Sequence, residues 1–264
     1  MHRLTSFISL IVIGIFLHVG ALPASDTAKE QRWRSQIVDA LFVGEPVDLQ
    51  ADGHTFLGIY AGHDTDKPRG AAIVMHGIGV HPAWPDVVQP LRTELPAHGW
   101  ATLSIQMPIL PNDADSSEYA PLYAEVPARI NAAKAFLKEQ GYQNIVLVSH
   151  SLGSGMAASY LAQGGSAAAF VAIGMSIHDD PDPRMDHAGF LSKITVPVLD
   201  LYGSGDLEAV RHTTEERARA AARAGNEAYQ QQQVSGANHF FQGKENALVN
   251  VVSSWLAELN KGNH

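Results

Sequence analysis

Short runs dominated by apolar residues alternate with longer stretches of helical spacing, and this rhythm restricts the fold more than any other feature. The runs lie at residues 71–75, 101–105, 145–148, 170–173 and 198–201. Helical stretches are expected at 87–97, 122–140, 153–162, 207–224 and 247–259. Runs of four or five residues are too short for helices, and their largely apolar character marks strands buried on both faces. Joined by helices, they predict an α/β fold with a mainly parallel sheet covered by helices on both sides. A shorter, more polar strand is expected at 229–234. Residues 47–60 alternate around Asp52-Gly53, the turn dipeptide of a hairpin. Residues 26–45 read as a polar, partly helical lead-in with Trp33, Ile37 and Leu41 at helical spacing. In open parallel sheets ligands bind at the carboxyl ends of the strands, so the residues just after each run are the functional candidates.

The N-terminus has a different character. Arg3 supplies a short positive region, and residues 7–19 are apolar apart from Ser9 and His18. Small residues follow, giving cleavage points after Ala21 or after Ala24. This is the pattern of an export signal, with an apolar core short for a membrane span. Residues 1–24 are therefore read as a signal peptide and 25–264 as one domain. The protein is expected outside the cytoplasm, in the periplasm first and the medium second. The chain has no cysteine, which excludes a lipid-modified cysteine and any disulfide. Its net charge of −9 argues against nucleic acid and anionic membranes as partners.

Four strand ends carry chemistry. After 145–148 comes Ser149-His150-Ser151-Leu152-Gly153, an S-x-S-x-G variant of the strand–nucleophile–helix turn. Such a turn strains the central serine and exposes its hydroxyl, and it requires small residues two before and two after. Ser151 is thus the candidate nucleophile. The earlier run 71–75 ends in His76-Gly77-Ile78-Gly79. A glycine-rich turn there lets the backbone N–H groups of Ile78 and Leu152 form an oxyanion hole. The run 198–201 leads through Tyr202-Gly203-Ser204-Gly205 to Asp206, and the last strand is followed by His239. The order serine, acid, histidine at successive strand ends predicts a relay in which His239 is the base and Asp206 fixes its tautomer. Asp200, inside its strand, and Glu208, along the following helix, are the competing acids.

From residue 71 onward the chain resembles the α/β-hydrolase superfamily. The stretch His76-Gly77-Ile78-Gly79-Val80-His81-Pro82-Ala83-Trp84-Pro85, with Gly99-Trp100 and the Ser151 turn, resembles a group of exported bacterial members of unknown function. The resemblance implies an α/β-hydrolase fold with a short cap insertion and a serine-hydrolase triad, and it implies no substrate. Serine stands at position 149 where the superfamily usually has glycine. The triad reading needs no cofactor and no metal. It implies a small-molecule ester substrate, hence a carboxylesterase acting through an acyl-enzyme. A thioesterase or amidase with the same triad, and a non-catalytic envelope binding protein, are the alternatives. His81, Trp84, Met107 and His150 are candidates for the substrate-binding wall. The cap position, about residues 176–193, is polar, with His and Asp clustered at 178–187.

Overall fold

The computed structural model describes residues 24–178 and 181–259. The apolar segment 7–19, the cleavage point after Ala21, and Asp179 and Asp180 lie outside the described residues. The chain opens with helix α1 (Thr27–Asp39) and the hairpin β1 (Glu45–Ala51) and β2 (His54–Ala61), paired antiparallel across Asp52-Gly53. Alternation follows: β3 (Gly70–Met75), α2 (Val88–Glu94), β4 (Trp100–Ile105), α3 (Val126–Glu139), β5 (Ile145–His150), α4 (Leu152–Ala162) and β6 (Phe170–Ile173). It continues with α5 (His187–Leu191), β7 (Val198–Gly205), α6 (Glu208–His212), α7 (Thr214–Arg223), β8 (Tyr229–Asn238) and α8 (Glu245–Leu259). These strands form one sheet in the order β1-β2-β4-β3-β5-β6-β7-β8. From β4 to β8 every pairing is parallel, while β1 and β2 add an antiparallel edge.

Because successive strand residues face opposite ways, each central strand feeds two cores. Ile73 and Met75 enter a cluster with Leu103, Leu147 and Ile130 from α3. Ala72 and Val74 enter the other, with Leu91 of α2 and Val252 and Trp255 of α8. This is why the central strands read as largely apolar runs, with Thr102, Ser104 and Asp200 buried among them.

Several expected boundaries move, each for a local reason. The stretch 87–97 ends as α-helix at Glu94 and tightens to a 3₁₀ turn, Leu95–His98, where Pro96 lacks the N–H to continue. The stretch 122–140 splits into a 3₁₀ segment, Ser116–Ala124, and α3, which starts with Pro127 in its first turn. The stretch 207–224 breaks at Thr213, whose hydroxyl donates back to the Ala209 carbonyl at 2.6 Å. The last strand is ten residues long, not six, because it pairs with β7 in one register from Val198↔Tyr229 to Gly203↔Val234 and, after a shift between Gly203 and Gly205, again at Gly205↔Asn238.

The cap position is a 3₁₀ turn, Pro183–Met185, followed by α5. Its polar residues are used locally. Asp182 pairs with Arg184 at 2.6 Å, and Asp186 accepts the Gly189 N–H at 2.8 Å. His187 is buried, with Tyr123 Oη 2.7 Å from Nε2 and the Ser176 carbonyl 2.8 Å from Nδ1. Among the described residues no three His, Asp or Glu side chains converge as a metal site, and no helix is long and apolar enough to cross a membrane.

Candidate active site

The parallel strands β5, β7 and β8 bring three side chains together at their carboxyl ends. Between β5 and α4 the chain reverses within one residue, and Ser151 adopts φ 54° and ψ −126°. A non-glycine residue there is strained, and that strain presents Oγ at the head of α4. The reversal needs a missing side chain at 153: a Cβ on Gly153 would collide with the His76 carbonyl. Ser149 is accommodated differently. Its hydroxyl donates to the Val171 carbonyl at 3.1 Å and lies 3.1 Å from Ser154 Oγ, which in turn reaches the Ser149 carbonyl. The hydroxyl where glycine is usual is thus consumed in a buried pair and leaves the turn intact.

Ser151 Oγ lies 3.0 Å from His239 Nε2, and His239 Nδ1 lies 2.6 Å from Asp206 Oδ1. With Nδ1–H donating to the carboxylate, Nε2 is left to accept the serine proton. Asp206 is buried, and its two oxygens also accept N–H bonds from Gly203 (3.2 Å) and Leu207 (2.7 Å). Burial by itself pushes the Asp206 carboxyl up. The His239 hydrogen bond and charge, with the two amides, outweigh it and hold the group below its usual value. Asp206 is therefore ionised at neutral pH.

The competing acids lie elsewhere. Asp200 is buried under the sheet edge, where Oδ2 accepts from Arg217 Nε (2.7 Å), Tyr229 Oη (2.6 Å) and Gln231 Nε2 (2.8 Å). Glu208 sits 3.5 Å from His212 on the exposed face of α6.

The turn 76–79 packs against the serine: a Cβ on Gly77 would stand 2.9 Å from Ser151 Cβ. The N–H groups of Ile78 and Leu152 have no acceptor among the described residues, as donors reserved for a developing oxyanion would be. His76 is fully buried, and its Nε2 accepts the Met107 N–H at 2.9 Å, which ties this turn to the end of β4. Burial holds its imidazole down at about 3, so it is neutral.

The four residues expected to wall a substrate pocket are placed differently. His150 is buried behind His239: its Nε2–H donates to the His239 carbonyl at 2.9 Å, and the ring centroids lie 4.7 Å apart. Met107 is buried in the core beneath the sheet end. His81 turns toward α1, edge-on to Trp33 at 5.2 Å, and lines a cavity of about 370 Å³ with Ile37, Phe42 and Arg92. Trp84 packs against His81 at 5.5 Å. Exposed apolar side chains in the turns that carry site residues are instead Ile78, Leu207 beside Asp206 in the chain, and Phe240, whose ring lies edge-on to His239 at 5.2 Å. Gly174, which the sequence did not single out, faces His239: a Cβ there would lie 2.9 Å from Cε1 and 3.0 Å from Nδ1.

This sheet order, with a serine, histidine and acid at its strand ends, defines a protein of the α/β-hydrolase fold. Solved structures with that fold are similar over most of the chain. A serine hydrolase homologue from Coxiella burnetii is 17% identical with a TM-score of 0.62, covering 81% of this chain and 98% of its own. Est1E from Butyrivibrio proteoclasticus is 14% identical with a TM-score of 0.63, covering 83% and 99%. A soluble variant of monoglyceride lipase from Saccharomyces cerevisiae is 14% identical with a TM-score of 0.63, covering 83% and 96%. No curated protein matches the chain. The chain belongs to the family described as protein of unknown function (DUF3530), which matches residues 20–124 and 111–258.

Proposed function

We propose that this protein is an exported serine hydrolase that cleaves small, soluble carboxylic esters through an acyl-enzyme on Ser151. The observation that carries this reading is the continuous relay from Ser151 Oγ through His239 to Asp206, at 3.0 and 2.6 Å. Esterases and a lipase among the structural neighbours support it. Ser151 Oγ attacks the acyl carbon while His239 Nε2 takes its proton, and ionised Asp206 stabilises the imidazolium. The carbonyl oxygen becomes an oxyanion facing the Ile78 and Leu152 amides. The intermediate then collapses, the C–O bond to the alcohol breaks, and His239 returns the proton to that leaving oxygen. Water repeats the cycle on the acyl-enzyme and releases the acid. No part of this sequence calls for a metal or cofactor.

Export is supported by Arg3, the apolar run 7–19 and the small residues after it. The decisive experiment is labelling of the mature protein with a serine-directed fluorophosphonate, read by peptide mass spectrometry. Adduct on Ser151, lost in Ser151→Ala together with ester turnover, is the expected result. A folded protein that neither labels nor turns over any ester would establish the binding-protein alternative.

A further inference from the structure

Ala24 is exposed, but Ser25 beside it is buried at the foot of α1. Its backbone N–H donates to Glu125 Oε1 at 3.0 Å, and its hydroxyl donates to Oε2 at 2.7 Å. Arg129 Nη2 approaches the same carboxylate at 3.3 Å and also donates to Glu30 at 2.9 Å, while Nη1 donates to Glu30 at 3.0 Å. Arg129 is completely buried, Glu30 is 4% exposed and Glu125 is 8% exposed. The cluster therefore contains two carboxylates and one guanidinium, removed from water together. A buried charge without a counter-charge is costly, so a second cation is called for.

Among the described residues the neighbouring groups do not supply it. His54 lies near Arg129 and Glu125, but burial, followed by the Arg129 charge, holds its imidazole below the usual value, so it is neutral at pH 7. The Lys29 ammonium donates to the Leu110 carbonyl at 2.7 Å and sits over the Trp33 ring. Burial raises the Glu30 carboxyl against the pull of Arg129, in keeping with a cluster short of positive charge.

We propose that the chain is processed between Ala24 and Ser25, and that the α-ammonium created on Ser25 is the second cation of this cluster, paired with Glu125. This rests on the reading of residues 1–24 as an export signal and selects one of its two cleavage points. A signal endopeptidase adds water across the Ala24–Ser25 peptide bond, leaving a carboxylate on Ala24 and an amine on Ser25. With an ordinary pKa of about 8, and a carboxylate at 3.0 Å, that amine takes up a proton at neutral pH. Two carboxylates then face two cations. Cleavage after Ala21 would leave an uncharged peptide N–H in the same place. Processing thus completes a buried ion cluster that ties α1 to α3, and the cut chain is more stable than its precursor.

The first test is expression with the native N-terminus in a Gram-negative host, with the N-terminus of the purified protein read by sequencing and intact mass. A periplasmic protein beginning at Ser25 is expected. A start at Leu22, or anywhere else past the apolar run, overturns this inference and leaves export standing; an intact Met1 overturns both. The second test compares two purified forms released by a site-specific protease, one beginning at Ser25 and one at Ala24. The Ser25 form is expected to melt about 4 °C higher at pH 7. In Glu125→Gln that difference is expected to vanish. Equal melting temperatures for the two wild-type forms overturn the proposal.

Discussion

The side chain of His150 supports the main chain of His239, its Nε2–H donating to the His239 carbonyl at 2.9 Å in a site closed to solvent. Burial, with the His239 charge adding to it, holds the His150 imidazole down at about 4. The folded state therefore keeps His150 neutral while the unfolded chain takes up a proton near pH 6.5, and stability is lost as pH falls from about 6.5 to about 4. Roughly 3 kcal/mol is at stake from this group. His150→Gln retains a donor and removes the titration. Its melting temperature is expected to fall less steeply than that of the wild type across this window, and parallel slopes would contradict the assignment.

Asp206 and Asp200 should separate chemistry from stability. Asp206→Asn leaves the fold intact but favours the wrong tautomer of His239, with a loss on the order of 10⁴ in turnover. Asp200→Asn leaves Arg217 buried without its counter-charge and should cost about 3 kcal/mol in stability while sparing turnover in the folded fraction. Denaturant melts and ester kinetics on both variants check this, and a reversal of the two outcomes would reassign the acid.

Gly174 sits at φ +61° with His239 against its α-carbon. Gly174→Ala should press the imidazole away from Ser151 and lower kcat about 100-fold with little change in KM. The strained backbone should add a loss of about 1 kcal/mol in stability. A variant with unchanged kcat would show that His239 has freedom the packing denies it.

Substrate size follows from the cap. Met185 and Leu191 are buried and Ile177 and Phe190 half-buried, so the apolar residues of this segment face the core, and its outer surface is polar. An interfacial lipase needs an apolar surface to present to lipid. Rates on nitrophenyl esters should therefore fall with lengthening acyl chains and show no jump on emulsified triglyceride. Activation above the solubility limit would refute this.

The strands were legible because burial on both faces leaves an apolar run that no other element of that length explains. Helix ends were less so, since Pro96, Pro127 and Thr213 act through single hydrogen bonds that periodicity does not register. The extension of β8 was hidden because Ser235 and Gly236 are exposed and only Ala237 is buried, so residues 235–238 carry no apolar run, and their pairing with β7 resumes only after a register shift. At the site, serine, acid and histidine could be placed from chain order, because each follows a strand whose end is fixed. The wall could not. A histidine or methionine just past a strand reads alike whether it faces a cleft or the core, as His150 and Met107 do. His81 is turned away by Trp33, a contact across some fifty positions that local spacing does not carry.

The paired hydroxyls of Ser149 and Ser154 bear on how such chains are found. A search that demands glycine two places before the nucleophile passes this one over, although its turn has the same backbone reversal. The tolerated volume is decided jointly by two positions five apart, so a filter for this family should accept serine at the first when a small hydroxyl residue stands at the second. Applied to other chains, such a paired criterion would recover serine turns that single-position patterns discard.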